Sequence, residues 1–291
     1  MRLIDASYEI IEQEPNILGV YKQIEKAART AYKSEDKITE GSAQRMVEAL
    51  CKSNHGACLE HGTIYLEVPM ENGDWVGICG DYNDNPYSRV KYVDYGDCMK
   101  AYITTNARVI FENGWEDNLK YMCEPTEFHE KRVTVKFITS IGIVREILRH
   151  RHFSFLNEST RYCNYAKGKF NSELTFIKPD TNNWINEDNC YEYLAGLQYA
   201  EKCYLKAIDH GVKPEIARDI LPLSLKSELI VTGFVSDWIH FFRLRSHIAA
   251  TGKPHPDIQK LADPLMQEFI DRDYCTYGEI ETTLFRTEFC R

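Results

Sequence analysis

Residues 149–162 read Arg-His-Arg-His-Phe-Ser-Phe-Leu-Asn-Glu-Ser-Thr-Arg-Tyr and combine three arginines, two histidines, two serines and a threonine. They follow a largely apolar run at 138–148. Closely spaced guanidinium groups repel one another unless an anion lies between them, and their planar donor fork matches phosphate or carboxylate. A solvated face or a structural ion-pair network is the alternative for any basic run. With hydroxyl donors interleaved, the segment predicts a site for a phosphorylated small molecule.

The composition bounds the class of protein. A chain of 291 residues with 43% hydrophobic residues predicts a soluble globular protein of one large domain or two modest ones. A net charge of −9 argues against broad nucleic-acid binding, which relies on a basic surface. No stretch approaches the roughly 18 apolar residues of a membrane span, and residues 1–5 do not resemble a signal peptide. Ten cysteines without a CxxC pair indicate reduced thiols. Together these observations predict a cytoplasmic protein without membrane partners.

Hydrophobic periodicity and turn residues predict the secondary structure. The predicted strands cover residues 3–11, 64–68 and 133–137. The predicted helices cover residues 20–31, 43–50, 101–113, 194–208, 214–222, 225–246 and 256–269. A polar loop is predicted at 182–188, and Thr39 is the predicted cap of the second helix. Residues 69–131, rich in Tyr, Asp, Asn and Gly, are predicted to be an insertion that covers a surface or subunit contact and performs no chemistry.

Two further positions bear on chemistry. His55, Glu60 and His61 invite a metal-site interpretation, but their spacing matches no zinc template, so no metal is predicted. Arg245 lies seven residues after Trp238, on nearly the same face of the predicted helix. An arginine on an apolar face requires a buried partner or a ligand.

The ordered motifs resemble those of a known family. Arg-His-Arg at 149–151, seven further residues and then Ser159 form the RHR-x7-S signature, and the chain resembles the flavin-dependent thymidylate synthases. The resemblance extends over the segments 27–29, 60–61, 159–162, 217–222 and 241–245. It covers most of the chain outside residues 69–131.

This resemblance implies an α+β fold of the thymidylate synthase-complementing type, with helices packed around a small antiparallel sheet in a single domain spanning 1–291. It implies a homotetramer with active sites at subunit interfaces. The implied reaction is the reductive methylation of dUMP to dTMP. The one-carbon donor would be 5,10-methylenetetrahydrofolate, and NADPH-reduced FAD would donate the hydride.

Carried over by motif position, the resemblance also implies site residues. Arg245 would be the catalytic residue, a fixed cation that favours the N3-ionised form of the pyrimidine. No cysteine nucleophile is then needed. The implied FAD-binding residues are His55, Glu60, Arg149, His150, Arg151 and His240. The implied dUMP-binding residues are Glu146, Arg149, Asn157, Glu158, Ser159, Thr160, Arg161, Arg218 and Arg245.

Four positions depart from the family pattern and keep other functions open. Ala31 and Ala57 stand where a hydroxyl residue contacts FAD, and Phe234 and His240 stand where asparagines do. Of the four, His240 retains the ability to form a hydrogen bond. These departures leave open a catalytically idle nucleotide-binding module. A flavin- and folate-dependent methyltransferase acting on uracil in RNA is a further alternative, which the acidic net charge disfavours. The preference for NADPH over NADH and the position of the folate stay open.

Overall fold

The computed structural model describes residues 1–70, 75–170, 172–179, 187–250 and 252–281. Its strands in this part are β1 (Arg2–Ile4), β2 (Ser7–Ile11), β3 (Thr63–Pro69), β4 (Arg89–Asp94), β5 (Met99–Asn106), β6 (Arg132–Ser140), β7 (Ser154–Asn157), β8 (Thr175–Ile177) and β9 (Lys226–Phe234). Its α-helices are α1 (Ile17–Tyr32), α2 (Ser42–Lys52), α3 (Gly56–Leu59), α4 (Trp75–Asn83), α5 (Ala107–Asn113), α6 (Ile141–Ile147), α7 (Glu187–Asp209), α8 (Pro214–Ala217), α9 (Val235–Arg245), α10 (Pro256–Asp271) and α11 (Tyr277–Glu281).

An antiparallel sheet in the order β2-β6-β9-β7 forms the centre of the fold. Successive side chains of a strand point to opposite faces, so Leu229 and Val231 of β9 enter one core and Ile230 enters the other. A second antiparallel sheet has the order β3-β5-β4, and β1 pairs with β8 in parallel. The predicted α+β class, with helices packed around a small antiparallel sheet, is confirmed.

One face of the central sheet is covered by α6, α9 and α10. Val133, Val135 and Phe137 alternate along β6 and pack against this layer, as their spacing predicts. Trp238 of α9 is fully buried there, and its indole N–H donates to the carbonyl of Val133 at 3.1 Å. Apolar side chains, with one satisfied donor among them, therefore hold α9 against the sheet.

The other face of the central sheet is covered by α1. The side chain of Asn16 accepts from the N–H of Gly19 at 2.8 Å and caps the helix. The helix ends at Lys33, which has the left-handed φ of 50°. Near this end the carbonyl of Ala31 accepts from the N–H of Ser159 at 3.0 Å. The end of α1 thereby supports the loop that follows β7.

Two predicted helices are wrong over their first halves. Residues 99–106 form β5, and the helix begins only at Ala107, capped by Asn106, whose side chain accepts from the N–H of Val109 at 3.1 Å. Residues 226–234 form β9, and only 235–245 are helical. A strand buried on both faces carries a continuous apolar run, which periodicity does not distinguish from a buried helix. At Gly233 a Cβ atom would meet the ring of Phe153 at 2.1 Å, so the close packing of β9 requires glycine there.

Other predictions have mixed outcomes. The helices around 20–31, 43–50, 194–208 and 256–269 are confirmed, although α2 begins after Gly41 and not at Thr39. The segment after Pro214 is one helical turn followed by a 3₁₀ turn, Arg218–Ile220. The first predicted strand is divided into β1 and β2. The predicted loop at 182–188 lies largely outside the described residues, and α7 already begins at Glu187.

Candidate functional site

The short strand β7 organises the candidate site. The Arg-His-Arg turn at 149–151 lies between α6 and β7, and the hydroxyl-rich loop at 158–161 follows β7. Ser154 pairs with Thr232 and Asn157 with Leu229, so the central sheet holds β7 in antiparallel register. The sequence-predicted residues of the turn and of the loop therefore lie at opposite ends of one strand.

Arg245, at the end of α9, contacts two of the predicted site residues. Its Nη1 donates to the Glu146 carboxylate at 2.8 Å and its Nη2 to the Glu146 carbonyl at 3.1 Å. Its Nε donates to Nε2 of His150 at 3.1 Å. These bonds use three of the five guanidinium N–H groups, which leaves two for a ligand. The fold thus brings Glu146, His150 and Arg245 together from positions up to 99 residues apart.

His150 is held in its neutral form. Burial, with the charge of Arg245 and the proximity of His240 adding to it, lowers the pKa of His150 to about 4. Because Nε2 accepts from Arg245, the ring proton of the neutral imidazole resides on Nδ1. The ring packs 5.1 Å from that of Phe241, and the ring of the exposed His240 lies 6.2 Å away.

The loop after β7 contacts α8 and the turn that follows it. Nη1 of Arg218 donates to the hydroxyl of Thr160 at 3.0 Å. Nε of Arg161 donates to Glu215 at 3.3 Å, and the Arg161 side chain is 59% exposed. Ser159 is half-buried. Two guanidinium groups and two hydroxyl groups therefore share one partly open surface.

Glu158 is placed differently from its loop neighbours. Its carboxylate is buried, accepts from the hydroxyl of Tyr165 at 3.1 Å and pairs with Lys226 at 2.7 Å. Lys226 also pairs with Glu228 at 2.8 Å. The carboxylate of Glu158 is thus occupied by the protein itself, whereas Asn157 at the end of β7 is half-buried.

Glu228 is the centre of a buried ion network beneath the loop. Lys33 and Lys226 contact its Oε1 at 2.7 and 2.8 Å, and Lys136 lies 2.6 Å from its Oε2, outside hydrogen-bond alignment. Burial disfavours the charged carboxylate, but the three ammonium groups together outweigh burial and lower the pKa of Glu228. The sequence does not predict this network, because its pattern places residues 225–246 in one helix. The charged pair Lys226 and Glu228 inside an apolar run was the available signal.

The predicted residues His55 and Glu60 flank the short helix α3. His55 is exposed, and the Glu60 carboxylate pairs with Arg108 at 2.6 Å. The carbonyl of Glu60 accepts from Nη1 of Arg132 at 3.0 Å, and Nη2 of Arg132 donates to Ser154 at 3.3 Å. Arg132, which sequence analysis did not select, therefore links the Glu60 turn to the start of β7.

Arg149 and Arg151 are exposed, and the side chain of neither forms a hydrogen bond or ion pair with the other described residues. Arg151 lines a cavity beside Phe234, one of the four positions that depart from the family pattern. Among the other three, Ala31 is buried, and Ala57 and His240 are exposed. Two guanidinium groups in the turn are thus available to a ligand.

Potential metal ligands are scattered over the described ranges. Within these ranges, no three His, Cys, Asp or Glu side chains are grouped so that they could hold a metal ion. His61 lies in the core, where its Nδ1 is 2.8 Å from the hydroxyl of Thr232. The nine cysteines in the described part carry reduced thiols. No helix within that part is long and apolar enough to cross a membrane.

The fold and the site together define an α+β protein in which an arginine–histidine turn and a hydroxyl-rich loop flank one short strand of an antiparallel sheet. The family model described as thymidylate synthase complementing protein matches residues 100–272. The chain belongs to this family. The match confirms the resemblance drawn from the motifs.

Similar proteins include one viral and one bacterial relative. The chain is 33% identical over 146 residues to a probable flavin-dependent thymidylate synthase of Paramecium bursaria Chlorella virus 1. This alignment covers 45% of this chain and 64% of that protein. It is 34% identical over 138 residues to a flavin-dependent thymidylate synthase of Synechocystis sp., covering 43% of this chain and 61% of that protein. The matches thus span less than two thirds of either relative.

A solved structure also aligns with most of the chain. The UMP/dUMP methylase PolB from Streptomyces cacaoi, bound with 5-Br dUMP, aligns over 93% of this chain and 92% of its own at 20% identity, with a TM-score of 0.45.

Proposed function

We propose that the chain is a flavin-dependent thymidylate synthase that methylates dUMP reductively to dTMP. The one-carbon donor in this proposal is 5,10-methylenetetrahydrofolate, and the hydride donor is FAD reduced by NADPH. The observation that carries it is the family match over residues 100–272, which includes the complete RHR-x7-S signature and Arg245. The names of the viral and cyanobacterial relatives support the same activity.

The loop after β7 is proposed to bind the phosphate of dUMP. Arg161 and Arg218 supply guanidinium groups, and Ser159 and Thr160 supply hydroxyl donors. The 3.0 Å bond between Arg218 and Thr160 holds two of these donors side by side before a ligand binds. Donors fixed in advance lose less entropy on binding. The remaining proposed dUMP residues are Glu146, Arg149, Asn157, Glu158 and Arg245, and the carboxylate of Glu158 also pairs with Lys226.

Arg245 is proposed to stabilise the anionic form of the pyrimidine. Glu146 and His150 fix its guanidinium plane, and two N–H groups remain available for a carbonyl oxygen and an adjacent ring nitrogen. A fixed cation in a partly dry site stabilises developing negative charge without reorganisation. The neutral His150 accepts a hydrogen bond from Arg245 and adds no competing positive charge.

The turn at 149–151 is proposed to bind FAD with His55, Glu60 and His240. The fit rests on orphaned groups beside the turn, since Nε of Arg132 and Oδ2 of Asp237 are buried without a hydrogen-bond partner. A ligand carrying both anionic oxygens and hydroxyl groups would satisfy a cationic donor and a carboxylate acceptor together. Bound FAD would supply hydride transfer.

A homotetramer with sites at subunit interfaces belongs to the same proposal. His55, Arg149, Arg161 and His240 are all exposed on the single chain, which is compatible with ligands enclosed by a second subunit. Residues 1–291 are proposed to form one domain, in which 69–131 is an insertion. The protein is proposed to act in the cytoplasm, without nucleic-acid or membrane partners.

An anaerobic assay tests the function. Purified protein is incubated with FAD, NADPH, 5,10-methylenetetrahydrofolate and dUMP, and dTMP is quantified by chromatography. We expect dTMP only when all four components are present. A uridine-containing oligonucleotide replaces dUMP in a parallel reaction and should yield no methylated product. Absence of dTMP from the complete reaction, with flavin bound, refutes the proposal.

A further inference from the structure

A cavity of about 170 Å³ lies between residues 86–89 and the start of β7. Its lining includes Arg89, Arg132, Arg151, His152, Phe234 and Asp237. Three guanidinium groups thus converge around a small volume that has Asp237 as its acidic lining residue.

Two of the lining residues each have a buried polar atom without a hydrogen-bond partner in the described part of the protein. Arg132 uses Nη1 and Nη2 in hydrogen bonds, but its buried Nε has no partner. Oδ2 of Asp237 is likewise buried without a partner. Burial lowers the pKa of Arg132 to about 10 and raises the pKa of Asp237. Leaving a donor and an acceptor unmet is costly, and a ligand with anionic oxygens and hydroxyl groups would satisfy both.

Arg89 reaches this cavity from outside the residues that the family model matches. It begins β4 within the 69–131 region and precedes residue 100, where the family match begins. Its guanidinium carbon lies 4.5 Å from the ring centroid of Phe234, and that of Arg132 lies 5.5 Å from the same ring. Phe234 is thus a shared support for two guanidinium groups. The carboxylate of Glu130 is 3.6 Å from Nε of Arg89 and neutralises it only partly.

The position of the cavity distinguishes it from the proposed dUMP site. Ser154 lines the cavity at the start of β7, and Asn157 ends the strand on the side of the dUMP loop. Three residues of extended chain span about 10 Å. The cavity is instead lined by Arg151, one of the residues that the proposed function assigns to FAD binding.

We propose that Arg89 binds the diphosphate of FAD together with Arg151, so that the 69–131 region contributes a cofactor-binding residue. The inference rests on the proposed function. In other members of the family an asparagine stands at the position of Phe234 and contacts FAD. Here Phe234 and Arg89 together would take the place of that contact. The orphaned carboxylate of Asp237 would accept from a hydroxyl group of the same ligand.

The test compares Arg89→Gln with Lys91→Gln. Lys91 lies two residues further along β4, is exposed and does not line the cavity, so both variants lose one positive charge from one strand. FAD affinity of the purified full chain is measured by flavin fluorescence titration. Loss of a charge-assisted phosphate contact predicts a Kd for FAD raised about tenfold or more in Arg89→Gln. In Lys91→Gln we expect it to stay within about twofold.

Three further measurements complete the test. Thermal unfolding midpoints verify that both variants fold. Arg89→Lys retains the charge and should bind FAD more tightly than Arg89→Gln; equal affinities of these two overturn the phosphate role. The Kd for dUMP at saturating FAD should not change in Arg89→Gln, and a loss of dUMP affinity in place of FAD affinity also overturns it.

Failure of this inference and failure of the proposed function have different signatures. Unaltered FAD binding by Arg89→Gln refutes the role of Arg89 but leaves the function standing. Absence of FAD binding by the unaltered chain refutes the function itself.

Discussion

Replacing Glu228 by glutamine tests the buried ion network beneath the hydroxyl-rich loop at 158–161. The substitution preserves the shape of the side chain but removes the charge that faces Lys33, Lys136 and Lys226. Lys33 retains Glu35 and Lys226 retains Glu158. Within the described residues, Lys136 has no other carboxylate at ion-pair distance. The variant therefore leaves the ammonium group of Lys136 without a counter-charge. The NH2 group of the new glutamine is also a hydrogen-bond donor and faces ammonium groups that are donors themselves.

The structure sets the size of the expected effect. Removing one partner of a fully buried ion pair costs about 3–5 kcal/mol because the remaining charge stays desolvated. The three lysine side chains here are 13–18% exposed, so water screens part of the cost. We expect Glu228→Gln to lower the free energy of unfolding by about 2–4 kcal/mol.

Urea titrations followed by far-UV circular dichroism, at equal protein concentration, measure this loss. Glu14→Gln is the matched control, since Glu14 pairs with Lys22 on the surface and both side chains are more than half exposed. Its cost should stay below about 1 kcal/mol. Adding Lys136→Met to Glu228→Gln should recover about 1–2 kcal/mol, because the uncompensated charge is removed. Equal losses in Glu228→Gln and Glu14→Gln, with no recovery in the double variant, contradict the reasoning.

Two further predictions concern the arginine and histidine cluster. Arg245→Lys keeps the charge but lacks the planar fork that Glu146 and His150 hold, so kcat should fall about 100-fold while the flavin content stays constant. The control Arg272→Lys, on the surface, should not change kcat. A kcat for Arg245→Lys within twofold of the parent contradicts the proposed role of Arg245. The pKa values of His150 and His61, lowered by burial from 6.5 to about 4 and about 3, imply that the unfolded chain binds more protons below pH 6.5, so stability falls as the pH decreases. The loss should be about 2 kcal/mol for each histidine at pH 5. Urea titrations at pH 7, 6 and 5 measure this loss. Unchanged unfolding midpoints over this range contradict the lowered pKa values of the two histidines in the folded state.

Much of the site was predictable because its residues are adjacent in sequence. Residues 149–161 carry the turn, β7 and the loop, and their charge and hydroxyl content are sufficient to indicate an anion site. The pattern of Val133, Val135 and Phe137 located β6 for a similar reason, since one face of that strand packs on a core. In contrast, β9 has both faces buried, and its apolar residues 229–231 run on toward the apolar residues of α9, so the whole segment predicted a helix.

The roles of individual charged groups depended on contacts across the chain. Glu158 stays a predicted dUMP contact, and only the structure shows that its carboxylate is directed to Lys226 and Tyr165. Arg89 could not be connected to Arg151 from sequence, since 62 positions separate them and β4 reaches the cavity only through its pairing with β5.

The sequence alone determined the family, the location of the arginine- and hydroxyl-rich segment 149–162 and the need of Arg245 for a partner, because each depends on residue types at short spacing. Only the tertiary structure decided which partner Arg245 has, which carboxylates are buried and which distant arginines share a cavity. These features depend on the order of strands in the sheet. That order consists of pairings between strands that are distant in the chain, such as β9 with β6 and β7, and no local pattern encodes them.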